Sequence, residues 1–299
     1  MTKGTDTSTR VTTGTSTRTG TSTRMGTSTR VGRPAVGRAE GRRAAGGRRL
    51  GRFAALGLVA GLGPGCRRGG EAEPRVIVAA AVSLREPLEE LGRRYERARP
   101  GAAPRFEWGA SGELGRRIAA GAPAELFASA SPQALGPLEE RGELAVACTL
   151  ARGRLVLVRR PGPELEGLDW HSLPRHPRLE RLAVGLASAV PAGAYAEETL
   201  RRLGAYDALA AKVVRGATVR HVLDLVARGE ADAGFVYATD VRGRGDVLVV
   251  GEAPEPARPA VAFPLALVGR PGAAARDFAT FLCGPEGRAA FTDFGFDAP

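Results

Sequence analysis

Five places in this chain set a hydrogen-bond donor where an apolar, strand-like run gives way to a helix-like one. Ser83-Leu84-Arg85-Glu86 reads as a capping box, with Ser83 as N-cap and Glu86 at the third helical position. Ser111 stands in Gly109-Ala110-Ser111-Gly112, where small residues let backbone approach a ligand and the hydroxyl can cap a helix. Pro191-Ala192-Gly193 and Thr218-Val219 open two further helices, and Tyr237 ends a strand before Ala238-Thr239-Asp240. Hydroxyls and first-turn backbone N–H groups are donors, and helix N-termini add partial positive charge. The chemistry on offer is capture of a small anion by neutral groups. Singly, each junction is an ordinary cap or turn. Their number points to a ligand, because in open α/β sheets ligands sit outside the carboxyl ends of the strands.

Other chemistries find less support. A nucleophilic serine needs a base within hydrogen-bond reach, and none of His171, His176 and His221 lies in a junction block, which argues against an exported hydrolase. The histidines are scattered, and no Cys-x-x-Cys or His-x-x-x-His spacing exists, so neither a structural zinc nor a metal hydrolase site is expected. The three cysteines, Cys66, Cys148 and Cys283, are an odd count and imply no disulfide framework. The sequence reads as a binding protein without a cofactor, and not as an enzyme.

The elements that must carry these donors follow from hydrophobic periodicity. Val76–Ala81 reads as a buried strand, followed by Leu84, Leu88, Leu91, Tyr95 and Ala98 at helical spacing. Phe106 and Trp108 mark a second strand, and Leu114 and Ile118 a helix ending near Gly121. Strands are expected at Leu126–Ala128, Leu155–Val158, Leu182–Gly185 and Gly234–Tyr237. A helix runs through Tyr195, Thr199, Leu200 and Leu203 to a stop at Gly204, and Val219, Val222, Leu223 and Val226 form another apolar stripe. Repeated βα units predict an α/β protein with largely parallel sheets.

The formal net charge of +11 misleads unless it is divided along the 299 residues. Residues 1–70 carry 14 of the 43 bases and two of the 32 acids, which leaves 29 bases and 30 acids on the remainder. A near-neutral body argues against a nucleic-acid partner, since phosphate neutralisation needs the excess on the folded part. Ser-Thr-Arg recurs at positions 8, 16, 22 and 28 with almost no apolar side chain nearby, so residues 1–52 read as a disordered basic leader. A start assigned upstream of the true one explains this stretch better than a solvated arm, with Met25 as an alternative start. The apolar run within 53–65 has the layout of a signal-peptide core and falls short of the ~20 apolar residues of a membrane span. Gly65-Cys66 resembles the lipobox of bacterial lipoproteins, although Gly63 stands where leucine is usual. Lipidation at Cys66 is the expectation, ordinary cleavage and a free soluble protein the alternative, and residues 66–73 form a linker.

Five blocks together resemble the molybdate-binding proteins of ABC importers: Val78–Leu84, Trp108–Gly112, Gly121–Ala130, Val190–Tyr195 and Gly229–Asp240. They occur in order across a resemblance that extends from about Arg75 to Phe296. It implies a two-lobed type II periplasmic binding protein fold, with two crossover strands and a ligand cleft between the lobes. Lobe one would comprise 74–151 and 251–299, lobe two 152–250, with hinges near Arg154 and Val250. The family's ligand groups fall on Ser83 and Ser111 (hydroxyl and N–H), Ala192 and Val219 (N–H) and Tyr237 (hydroxyl). The implied ligand is molybdate or tungstate, and the implied partners are an ABC permease and its ATPase at the membrane, with the chain itself a monomer. Another ligand, a sulfate-like oxyanion or ferric ion, is the alternative. Glu125 and Thr218 stand where the family usually has Asp and Asn, and neither is among the five ligand positions.

Overall fold

The computed structural model describes residues 75–299. The leader, the signal-peptide core, the linker and Cys66 lie outside the described residues. The first lobe begins with β1 (Ile77–Ala81), a tight 3-10 turn at Val82–Leu84, α1 (Arg85–Ala98), β2 (Arg105–Gly109) and α2 (Ser111–Ala119). It continues with β3 (Leu126–Ala128), the single turn α3 (Gly136–Glu139) and the long β4 (Leu144–Gly153). The second lobe holds β5 (Leu155–Arg159), β6 (Leu182–Gly185), α4 (Pro191–Arg202) and the turn α5 (Tyr206–Leu209). It then adds β7 (Val213–Gly216), α6 (Val219–Ala227), β8 (Ala233–Tyr237) and β9 (Leu248–Glu252). The chain returns to the first lobe with β10 (Val261–Val268), α7 (Ala273–Cys283) and α8 (Pro285–Asp293).

The two sheets have the orders β2-β1-β3-β10-β4 and β7-β6-β8-β5-β9. In the first, β1 runs parallel to β2 and β3, while β10 is antiparallel to β3 and β4. In the second, β6 is parallel to β7 and β8, while β5 is antiparallel to β8 and β9. The sheets are therefore mixed rather than largely parallel. Strands linked by local βα units keep one direction, and those next to the crossings between lobes run against it. Each lobe is left with a parallel trio, and the three carboxyl ends of each trio are where the donor junctions emerge.

The apolar patterning does what its period requires. Leu84, Leu88, Leu91 and Tyr95 of the first helical segment are buried, as are Val219, Val222, Leu223 and Val226 of α6. Each fully buried leucine contributes roughly 1.5–3 kcal/mol, which sets the register of these helices on their sheets. Thr218 caps α6, its Oγ1 accepting the His221 N–H at 3.0 Å. Close approach of α4 to β6 depends on Gly193, where a Cβ would lie 2.0 Å from the Gly185 carbonyl oxygen.

The chain first crosses between lobes at Arg154, between β4 and β5, and returns through residues 253–260, just beyond Val250 in β9. Arg154 ties the crossing together, pairing with Glu252 at 2.7 Å and Asp297 at 3.2 Å. Gly153 has a packing role: a Cβ there would lie 2.7 Å from the Phe263 ring. Cys148 and Cys283 are joined in a disulfide between β4 and α7, their Cα atoms 6.0 Å apart, which corrects the expectation of no disulfide. An odd cysteine count shows only that one is left over. It carries no information on whether the packing of α7 against β4 brings the other two together. No helix among the described residues is long and apolar enough to cross a membrane.

Candidate functional site

All five donor residues expected from the sequence line one small cavity between the lobes. Ser83 reaches it from the turn after β1, Ser111 from the start of α2, Ala192 and Val219 from the first turns of α4 and α6, and Tyr237 from the end of β8. Ala110 and Ala130 complete the first-lobe wall, and Val190 and Pro191 the second. The cavity is small, with about 210 Å³ of space between atoms, open solvent included. No Arg, Lys, His, Asp or Glu lines it. Ser83, Ser111, Ala192, Val219 and Tyr237 are all buried, so a ligand enclosed here is shielded from water.

The serines do not cap as expected. A 3-10 turn intervenes before α1, which begins at Arg85 with Leu84 as its N-cap, and no side-chain cap bond forms. Ser83 is thereby left facing the cavity instead of being engaged at a helix end. Ser111 is the first residue of α2, with Ala110 as N-cap, and its Oγ accepts the Ala130 N–H at 2.9 Å. A hydroxyl that accepts through a lone pair keeps its O–H free to donate, so the Ala130 peptide turns Ser111 into a donor for the cleft. The other end of the same residue serves the facing lobe, where the Tyr237 hydroxyl donates to the Ala130 carbonyl at a long 3.4 Å. Ala130 is the organising residue that sequence reasoning missed. It lies within a quoted block, but an alanine acting through its backbone leaves no side-chain signal.

The second lobe contributes N–H groups. Ala192 and Val219 lie in the first turns of α4 and α6, where backbone N–H groups have no acceptor within their own helix and the helix dipole favours negative charge. Burial pushes the Tyr237 phenol well above its ordinary range, so it keeps its one proton, which here is directed at the Ala130 carbonyl and has to turn from it to reach a ligand. Three residues on, Asp240 is buried, and one carboxylate oxygen accepts the Tyr237 N–H at 3.0 Å. Burial pushes the Asp240 carboxyl up to about 7, against the opposing pull of the Arg220 guanidinium and the Tyr237 N–H.

The lobes meet across the cleft through several polar contacts. The Gly112 N–H donates to the Ala189 carbonyl at 2.8 Å, and Arg116 donates to the Ser188 carbonyl at 2.6 Å. Arg242 donates to the Asp293 carbonyl, and Arg220 pairs with Glu86 at 2.5 Å. A wider, open hollow of about 810 Å³ shares Ser83 with the small cavity and is lined by Glu86, Arg220, Asp240, Arg242 and Arg244, among others. Its charges are partly paired, Arg220 with Glu86 and Arg244 with Asp246, each through a short ion pair, while Arg242 donates to the Asp293 backbone carbonyl; none of the five expected donors except Ser83 reaches it. The donor-lined, charge-free cavity is the better candidate site.

Residues 76–297 match the bacterial extracellular solute-binding proteins. The chain belongs to that family. Among the relatives of this solute-binding protein, the molybdate-binding protein ModA of Escherichia coli K12 is 34% identical over 233 residues, covering 75% of this chain and 89% of its own. ModA of Haemophilus influenzae is 32% identical over 250 residues, covering 81% and 95%. Of solved structures, a Clostridium difficile substrate-binding domain assigned to a molybdenum ABC transporter is 30% identical with a TM-score of 0.58. That match covers 75% of this solute-binding protein and 99% of the other chain. The two-lobed fold with its cleft and two crossings is thus that of a periplasmic binding protein.

Proposed function

We propose that this protein is the extracytoplasmic substrate-binding component of a molybdate or tungstate ABC importer, and that it is not an enzyme. The observation that carries the reading is the gathering of Ser83, Ser111, Ala192, Val219 and Tyr237 around one small cavity without a charged wall residue. Relatives of high coverage that are molybdate-binding proteins support the choice of ligand.

The chemistry is consistent throughout. A tetrahedral dianion is held by hydroxyl and backbone N–H donors, each charge-assisted bond being short and strong, with helix N-termini supplying partial charge. Neutral donors hold the anion without a salt bridge and so ease its release to a permease. A shell made of donors disfavours hydrogen phosphate, whose proton needs an acceptor. Molybdate and tungstate are nearly alike in size and charge and are bound alike; sulfate, being smaller, makes looser contacts.

Calorimetric titration of the purified body with molybdate, tungstate, sulfate and phosphate tests this. One-to-one binding of the first two with Kd of micromolar or tighter is expected, equivalent to about −8 kcal/mol or better. Absence of molybdate binding overturns the reading, and sulfate binding as tight as molybdate binding overturns its size selectivity.

We further propose that the protein works as a monomer with an ABC permease and its ATPase, held at the outer face of the cytoplasmic membrane through acylated Cys66. With Cys148 and Cys283 joined to each other, Cys66 is the cysteine left for modification. Several acyl chains anchor firmly where one anchors marginally, so the protein is expected to fractionate with membranes and a Cys66→Ala variant to lose that association. Mass spectrometry showing an unmodified N-terminus downstream of Cys66 would identify a soluble periplasmic protein instead.

A further inference from the structure

We propose that Glu86, Arg220 and Asp240 form an interlobe clasp that holds the cleft shut over its ligand and so sets the rate of release. These are positioning residues, and the proposal rests on the binding reading given above. Each is a near neighbour of a cavity-lining residue on the same stretch of chain: Glu86 lies three residues after Ser83, Arg220 follows Val219, and Asp240 lies three residues after Tyr237. Arg220 Nη2 donates to Glu86 Oε2 across the lobes at 2.5 Å, and its Nε stands 3.3 Å from Asp240 Oδ1 within the second lobe. The remaining Asp240 oxygen accepts the Tyr237 N–H.

The arrangement is not what the arginine would adopt for its own sake. A cation in the first turn of α6 is opposed by the helix dipole, and partial burial removes some of its hydration. The Glu86 carboxylate holds it there by a hydrogen bond, with the Asp240 carboxyl close to its Nε. Arg220 does not line the anion cavity, so its charge is directed to Glu86 and Asp240 and not to the ligand. When the lobes separate, the Arg220–Asp240 pair stays within lobe two, while the bond to Glu86 on α1 has to break. Glu86 therefore interacts with Arg220 in the closed form alone, and such a differential interaction is what shifts a two-state equilibrium toward closure.

The sign of the Glu86 effect separates this role from a simple electrostatic one. A carboxylate near an anion site repels the ligand, so if Glu86 acts only through its field, Glu86→Gln tightens binding. If Glu86 is half of a clasp, Glu86→Gln speeds release. Stopped-flow measurement of molybdate association and dissociation, by intrinsic fluorescence on the full-length chain, decides between them for wild type, Glu86→Gln, Arg220→Gln and the double variant. The expectation for Glu86→Gln is dissociation about three- to tenfold faster, association within about twofold of wild type, and an unchanged melting temperature, in keeping with a partly exposed ion pair. The double variant should release no faster than Arg220→Gln alone, since the two changes break one contact. Unchanged or slower dissociation in Glu86→Gln, with wild-type binding intact, overturns the clasp alone. A wild-type protein that binds no molybdate overturns the underlying function reading, and the clasp with it.

Discussion

Replacing Gly112 by leucine is expected to leave the protein folded while weakening oxyanion binding by a hundredfold or more. Gly112 lies in the first turn of α2, where its N–H donates to the Ala189 carbonyl of the other lobe. A Cβ at this position would lie 2.9 Å from Ala189 Cα, and at the same distance from the carbonyl oxygens of Ala189 and Ser188. All three are backbone atoms, which cannot swing aside as a flexible side chain would. Overpacking of this kind costs about 1–3 kcal/mol or more, and a leucine side chain reaches further than a Cβ. The three nearest atoms all belong to the second lobe, so the clash bears on the contact between the lobes. The cost therefore falls on closure, and about 3 kcal/mol of lost closure is roughly a hundredfold in Kd. Paired calorimetry and thermal denaturation check this. Wild-type affinity in Gly112→Leu would mean that the liganded form is not the one in which Gly112 and Ala189 touch.

The second large effect is expected from the paired change Ser83→Ala with Ser111→Ala. Each removes a hydroxyl donor to a buried dianion and leaves the backbone N–H in place. Hydrogen bonds to charged groups contribute about 1.5–3 kcal/mol, so each single variant should bind about ten- to a hundredfold more weakly, and the double variant more weakly than either, without simple additivity because both hydroxyls meet the same anion. Ser111→Ala should be the worse of the pair, because it also strips the Ala130 N–H of its acceptor. Tyr237→Phe should resemble the single serine variants. Retention of wild-type affinity by all three single variants, with circular dichroism showing the native fold, would remove the anion from this cavity.

Much of the fold was legible because its determinants are local. The strands around Val78, Phe127, Leu157, Ala183 and Phe235 and the helices through Leu88, Leu114, Tyr195 and Val222 each bury a face whose period is written in the residues themselves. Thr218 caps α6 for the same reason: its acceptor role needs only the His221 N–H three residues away. The five donor positions were legible as junctions between such elements, although a junction alone does not distinguish a cap from a ligand group. Ser83 and Ser111 show the difference. Both read as caps from sequence, and neither caps, since the exact residue at which a helix starts depends on what the preceding turn packs against.

Composition and local pattern by themselves determined that the chain is α/β with neutral donors at several strand ends and with the excess positive charge confined to the leader, and the resemblance to a binding-protein family is what marked those donors as ligand groups. Only the tertiary structure decided the contacts made between residues far apart in the chain. It joined Cys148 to Cys283 across 135 residues, set the antiparallel strands beside the crossings, gave Ala130 its place between Ser111 and Tyr237, and put Glu86 against Arg220. Periodicity encodes which face of an element is buried. It does not encode which other element covers that face, because that choice is made by the packing of the whole chain at once.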